Sequence, residues 1–124
     1  MKYIMWDFGQ DEERYEEAVH AMNRGDEKAK TTVAFFKLSG RGGAEVDQDE
    51  AVSLLVQRVK DGDDDAMWML GMCYEYGMGT EKDISQAVSH YRRSCEAQNV
   101  IGEFLFKDCE GGRGNGEMAI RRSS

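Results

Sequence analysis

The chain has 124 residues, 40% hydrophobic and 32% charged, with 14 Gly, no Pro and a formal net charge of −8. That composition describes one well-hydrated domain whose breaks are made by glycine, which favours helices joined by glycine turns over a Pro-punctuated β-sandwich. The acidic balance excludes nucleic acid and anionic membrane surfaces as main ligands, since both need a cationic face, and it favours a basic partner.

The first ten residues form an apolar segment, with Tyr3, Ile4, Trp6 and Phe8 close together and no helical partner in their own repeat. The segment has no long apolar run and no small-residue cleavage site, so it does not read as a secretory signal. Residues 11–24 follow as a half-repeat, a lone second helix running from Tyr15 to Met22. Gly25-Asp-Glu-Lys-Ala29 then opens a first full unit over 25–61, and Gly62-Asp-Asp-Asp-Ala66 opens a second over 62–97. At an offset of 37, Ala34 falls on Gly71, Gly40 on Gly77 and Gly42 on Gly79. After that turn the offset is 36, with Ala51 on Ala87 and Leu55 on Tyr91. A fainter half-repeat spans 98–110, where Ile101 and Leu105 align with Ala66 and Leu70 at an offset of 35. Residues 111–124 are Gly-rich and read as a disordered tail.

The second unit shows the physics of one copy. Ala66, Met69, Leu70, Cys73 and Tyr74 recur at i, i+3, i+4, i+7 and i+8, the apolar stripe of a helix. Asp63, Asp64 and Asp65 stand at its start, where carboxylates cap free N–H groups and meet the positive end of the dipole. Gly77 and Gly79 end it. Asp83 then caps a second helix with Ile84, Ala87, Val88, Tyr91 and Cys95 on one face, and the short loop makes the two helices antiparallel. Small residues at matched positions, Gly71 with Ala34 and Ala87 with Ala51, let the helix backbones approach closely.

Ala66, Leu70, Gly71, Tyr74, Gly77, Gly79, Asp83, Ala87 and Tyr91 together resemble the Sel-one-like repeat, an α/α unit related to the tetratricopeptide repeat. The first unit departs from that pattern, with Val33, Ala34 and Lys37 at the usual Leu, Gly and Tyr positions. The third has Phe106 and Cys109 at the Gly and Tyr positions in the offset used. The expected fold is all-α, a short α/α solenoid of about two helix pairs with a half-pair at each end, in one domain over 1–110. The resemblance implies a protein-binding module rather than an enzyme, acting as adaptor or scaffold. A non-catalytic subunit or inhibitor in a larger complex is the alternative, and a cysteine-rich hydrolase-like enzyme stands behind both.

Other constellations are weak. Cys73, Cys95 and Cys109 are odd in number and do not follow the spacing of the family's disulfide-bearing branch, so a reducing, cytoplasmic setting is expected. Neither His20 nor His90 sits in a zinc or nucleophile signature. A calcium loop starting at Asp61 would place Ala66 where Gly is needed and Met72 where Glu is needed. No cofactor or metal is therefore expected. Partner-binding candidates are the positions of the first helices away from the core stripe, Lys30, Lys37, Met67, Trp68, Met72 and Glu75, together with Tyr3, Trp6 and Phe8. Two full repeats are fewer than the roughly three wanted for stability, so pairing of two copies, by end-to-end stacking or a swap of the N-terminal segment, is also expected.

Overall fold

The computed structural model describes the backbone of residues 2–110 and the side chains of residues 10–110. Six α-helices follow one another: α1 Lys2–Asn23, α2 Ala29–Ser39, α3 Gln48–Lys60, α4 Asp64–Tyr76, α5 Ile84–Glu96 and α6 Val100–Glu110. A 3-10 turn at Arg41–Gly43 lies between α2 and α3. The fold is the expected all-α solenoid, with α2–α3 and α4–α5 as full pairs and α1 and α6 as the half-pairs. α1 runs without interruption through both the apolar N-terminal segment and the half-repeat that follows it. The side chains of Tyr3, Ile4, Trp6 and Phe8, and the whole tail over 111–124, lie outside the described residues.

Local chemistry sets the helix ends. Asp47 accepts a hydrogen bond from the Glu50 N–H to cap α3, and Asp83 accepts from Gln86 to cap α5. Asp63 caps α4 by accepting from both Asp65 and Ala66. Each such cap contributes about 1 kcal/mol. Gly77 closes α4 in the left-handed region at φ +69°, as Gly40 closes α2 at φ +77°. The following turns dock on the preceding second helix. A side chain at Gly42 would strike the Asp11 carbonyl, and one at Gly79 the Gln48 carbonyl, 37 positions on in both cases.

Packing follows the repeat. One core cluster joins α1 through α4 by way of Ala18, Val33, Leu55, Val59 and Leu70. A second joins α5 to α6 around Tyr91 and Leu105, with Trp68, Met72 and Tyr74 of α4 packed against it. Gly71 lies against the Tyr91 ring and the Ala87 carbonyl, so the small residue does permit close approach of α4 and α5. α2 also touches α4, and α4 touches α6, whereas among the described residues α1, α3 and α5 make no such contacts with one another. The stack therefore bends toward α2, α4 and α6, which line its inner side.

The third copy is in a different register from the one read in the sequence. Asn99 accepts from the Gly102 N–H to cap α6, as Asp63 caps α4. Gln98 takes φ +66°, the left-handed conformation that Gly62 has at φ +86°. Both pairs are 36 apart, not 35. Gly102 is accordingly buried in Ala66's place, and Cys109 is buried in Cys73's, while Ile101 is 46% exposed. Phe106 thus stands at the Leu70 position and Lys107 at the Gly71 position. The caps fix this register, whereas the offset of 35 rests on setting Ile101 and Leu105 against Ala66 and Leu70.

Candidate functional site

The six candidate residues among the described side chains do not form one site. Lys30 pairs with Glu27 at 2.8 Å and donates to Gln57 of α3, so it faces the outer helix. Lys37 pairs with Glu50 at 3.4 Å in the same way. Burial disfavours the charge on Lys37, but Tyr15, Glu50 and Asp47 outweigh that and raise its pKa above the ordinary lysine value. Met67 is only 7% exposed and belongs to the core. Glu75 accepts a 2.6 Å hydrogen bond from the Tyr91 hydroxyl, which ties it to α5. The lysines and Glu75 lie off the apolar stripe, yet that side of each first helix meets its own second helix.

Trp68 and Met72 do come together. They line an apolar groove between α2 and α4 with Phe35, Leu38, Met69 and Met78, and Ser39 at its margin. The Trp68 indole N–H donates to Asp65 Oδ1 at 2.9 Å, which fixes the ring's polar edge at the rim and leaves its face to the groove. Phe35 packs edge-on against Phe36, and the Arg41 guanidinium stands 5.8 Å from its ring centre. The groove volume is about 220 Å³, below the ~300–1,000 Å³ of small-molecule and cofactor sites. It suits one or two bulky side chains. Its methionines and aromatics are the adaptable, low-entropy surfaces that interfaces favour.

Phe35, Leu38 and Met78 were missed in the sequence. One signal was available: Phe35 is the repeat counterpart of Met72, 37 positions earlier, so nominating either position nominates both. Met78 sits in the turn, where helical spacing gives no direction, and Met69 was assigned wholly to the core stripe.

A second hollow, between the start of α2 and that of α4, is polar, and Thr31, Arg58, Asp61 and Asp63 on its wall engage one another. Arg58, 6% exposed, holds Asp61 at 3.1 Å and Asp63 at 3.3 Å, and Thr31 donates to Asp63 at 2.7 Å. Burial would raise the pKa of Asp63, but the Thr31 hydroxyl, the Ala66 N–H and Arg58 outweigh it and hold the carboxyl below its usual range. These aspartates are helix caps and an ion pair that lock α2, α3 and α4 together. Cys73 is fully buried, and burial pushes its thiol up to about 12, so it carries almost no thiolate at neutral pH. His90 turns Nδ1 toward the Gln86 carbonyl oxygen of its own helix at 2.8 Å. No helix of the described residues is long and apolar enough to cross a membrane.

Residues 64–99 match the family model of the Sel1 repeat. No curated protein matches the chain. Among solved structures, the Sel1 repeat protein from Oxalobacter formigenes is similar at a TM-score of 0.69 and 23% identity, over 83% of this chain and 41% of that one. A protective antigen present in uropathogenic Escherichia coli strains, displaying an SLR fold, is similar at a TM-score of 0.69 and 25% identity. That match covers 89% of this chain and 24% of the antigen, so the chain spans less than half the length of either protein.

Proposed function

We propose that this chain, whose residues 64–99 are a Sel1 repeat within an SLR fold, is a protein-interaction module that holds a segment of a partner protein along its inner face. The observation that carries the reading is the groove between α2 and α4, where Phe35, Leu38, Trp68, Met69 and Met72 converge on a space sized for a side chain. An adaptor or scaffold role fits an inner face open to a partner. A subunit or inhibitor within a larger complex would use the same surface. The buried, high-pKa Cys73 supports a non-catalytic role, and the three free cysteines fit a reducing, cytoplasm-like compartment. The net charge of −8 favours a partner segment bearing Lys or Arg.

Pairing of two copies, by end-to-end stacking or a swap of the N-terminal segment, is a second reading, and Val100, 77% exposed at the far end of the described residues, supports it.

The test is selection from a phage-displayed library of random peptides, followed by fluorescence titration in a Trp6→Phe background so that Trp68 alone reports. Selected peptides are expected to carry a bulky apolar residue, to shift Trp68 emission, and to lose at least about tenfold in affinity, ~1.4 kcal/mol, against Phe35→Ser. Peptides that bind Phe35→Ser as well as the parent, with Trp68 silent, would remove the groove reading.

A further inference from the structure

The register of α6 reveals a second anchor point on the inner face. At the structural offset of 36, Phe104 stands where Trp68 stands in α4. At the offset of 37, Met72 stands where Phe35 stands in α2, and Tyr76 where Ser39 stands. Met72, Tyr76 and Phe104 thus bring three of the groove's positions to the α4–α6 junction, where Glu75 and Asp108 hold the places of Leu38 and Met72. α4 and α6 are in direct contact, and Met72 packs against the α5–α6 core. Tyr76 is 57% exposed and Phe104 65% exposed, so both rings are open to solvent. With Ile101, 46% exposed, they make an apolar strip that continues the groove around the inner side.

The charge beside the strip points to what occupies it. Asp65 lies at the rim through its bond to the Trp68 indole, and Asp64 is next to it. Asn99 donates to both, at 2.7 Å to Asp64 and 2.8 Å to Asp65. Among the described residues, the hydrogen-bond donors to these two side chains are thus neutral, and no Lys or Arg pairs with either carboxylate. Two carboxylates with no cationic partner among the described residues, beside the Trp68 and Asn99 side chains, complement a cation on the partner.

We infer that the inner face takes a single partner segment through two bulky apolar side chains, one in the α2–α4 groove and one on the exposed strip at α6, with a Lys or Arg between them on Asp64 and Asp65. This rests on the groove reading above and adds the second anchor and the cation. Adjacent helix axes lie ~8–10 Å apart. An extended segment rising ~3.3 Å per residue spans that in about three residues, and a helix rising ~1.5 Å in about six or seven.

The probe is the set of peptides selected on the parent protein, titrated against Phe35→Ser, Phe104→Ser and Asp65→Asn, with far-UV circular dichroism to confirm unchanged helix content. Phe104 is exposed enough that its loss leaves the fold intact. The expected result is that peptides with two apolar residues lose about tenfold against Phe104→Ser. Replacing the peptide's second apolar residue by Ser should produce the same loss, with no further loss when both changes are combined. Asp65→Asn should weaken binding and flatten its salt dependence. If Phe35→Ser abolishes binding while Phe104→Ser leaves it unchanged, the second anchor is wrong and the first groove stands. If neither variant matters, both readings fall.

Discussion

Gly71 sets how closely α4 and α5 approach, and a single methyl group there tests the packing account. A Cβ at that position would lie 2.6 Å from Tyr91 Cε1, 2.7 Å from Cδ1 and 3.1 Å from the Ala87 carbonyl oxygen. Favourable carbon contacts begin near ~3.5 Å, so the ring or the helix has to move. The ring has little freedom, because Tyr91 is 0% exposed and its hydroxyl is held by Glu75. Helix propensity alone would make Gly71→Ala stabilising by ~0.8–1 kcal/mol. Overpacking costs ~1–3 kcal/mol and, with a confined ring, the upper part of that range applies. The net expectation is a loss of about 1–2 kcal/mol. The first repeat shows how the clash is relieved: Ala34 fills the Gly71 position, and Leu55 stands where Tyr91 does, both 0% exposed. Gly71→Ala combined with Tyr91→Leu should therefore be less damaging than the sum of the two single changes, by ~1 kcal/mol or more. Urea melts followed by helix ellipticity give all four free energies. A Gly71→Ala variant more stable than the parent, or changes that add within ~0.3–0.5 kcal/mol, would refute the argument.

Two further predictions concern the connections between repeats. Gln98 is left-handed at φ +66°, where Gly25 and Gly62 stand in the other copies, so Gln98→Gly should raise stability by about 0.5–1 kcal/mol, seen as a higher urea midpoint at unchanged slope. Asp63→Asn should lower stability by about 2–3 kcal/mol at neutral pH, because it removes the charge at the start of α4 and deprives buried Arg58 of one carboxylate. The folded-state pKa of Asp63 is depressed, so its contribution is complete above the unfolded-state value and is lost as pH falls through the folded value. Urea midpoints from neutral pH down to pH ~2 should show the gap between parent and variant closing as the pH drops below about 4. A gap that stays constant would rule out the ionised Asp63 as its source.

The helix pairs were legible because their determinants are local and repeated. Asp63 and Asp83 announce helix starts, Gly77 announces an end, and Gly71 with Ala87 announces a close approach. The third copy was misaligned by one residue because its determinants are disguised: Gln98 replaces the usual Gly, and Asn99 replaces the usual Asp. Only cap geometry tells that Gln98 and Asn99 hold the places of Gly62 and Asp63. Candidate binding residues were harder. Helical periodicity separates a buried stripe from everything else, but a first helix in this stack has three environments. Lys30, Lys37 and Glu75 are off the stripe and still face α3 or α5, since long polar side chains can cover an interface while keeping their heads wet. Trp68 and Met72 were found by residue type, not by direction.

Where the two full repeats agree they pack, and where they differ they build the groove. Gly42 and Gly79 dock their turns on the same backbone atoms of the preceding helix. The residue before each glycine differs completely. Arg41 reaches back to pair with the buried Asp11 at 2.6 Å, fastening the first turn to α1. Met78, its counterpart, lies in the groove beside Met69 and Met72, and Gln48 holds the place that Asp11 has in the first copy. A charge at position 78 would have to be desolvated against Leu38 and Trp68, at a cost that apolar contacts cannot recover. The exchange of an ion pair for a methionine thus frees the second turn to contribute to the inner face. It also makes the groove a property of the junction between repeats, because neither α2–α3 nor α4–α5 alone encloses it.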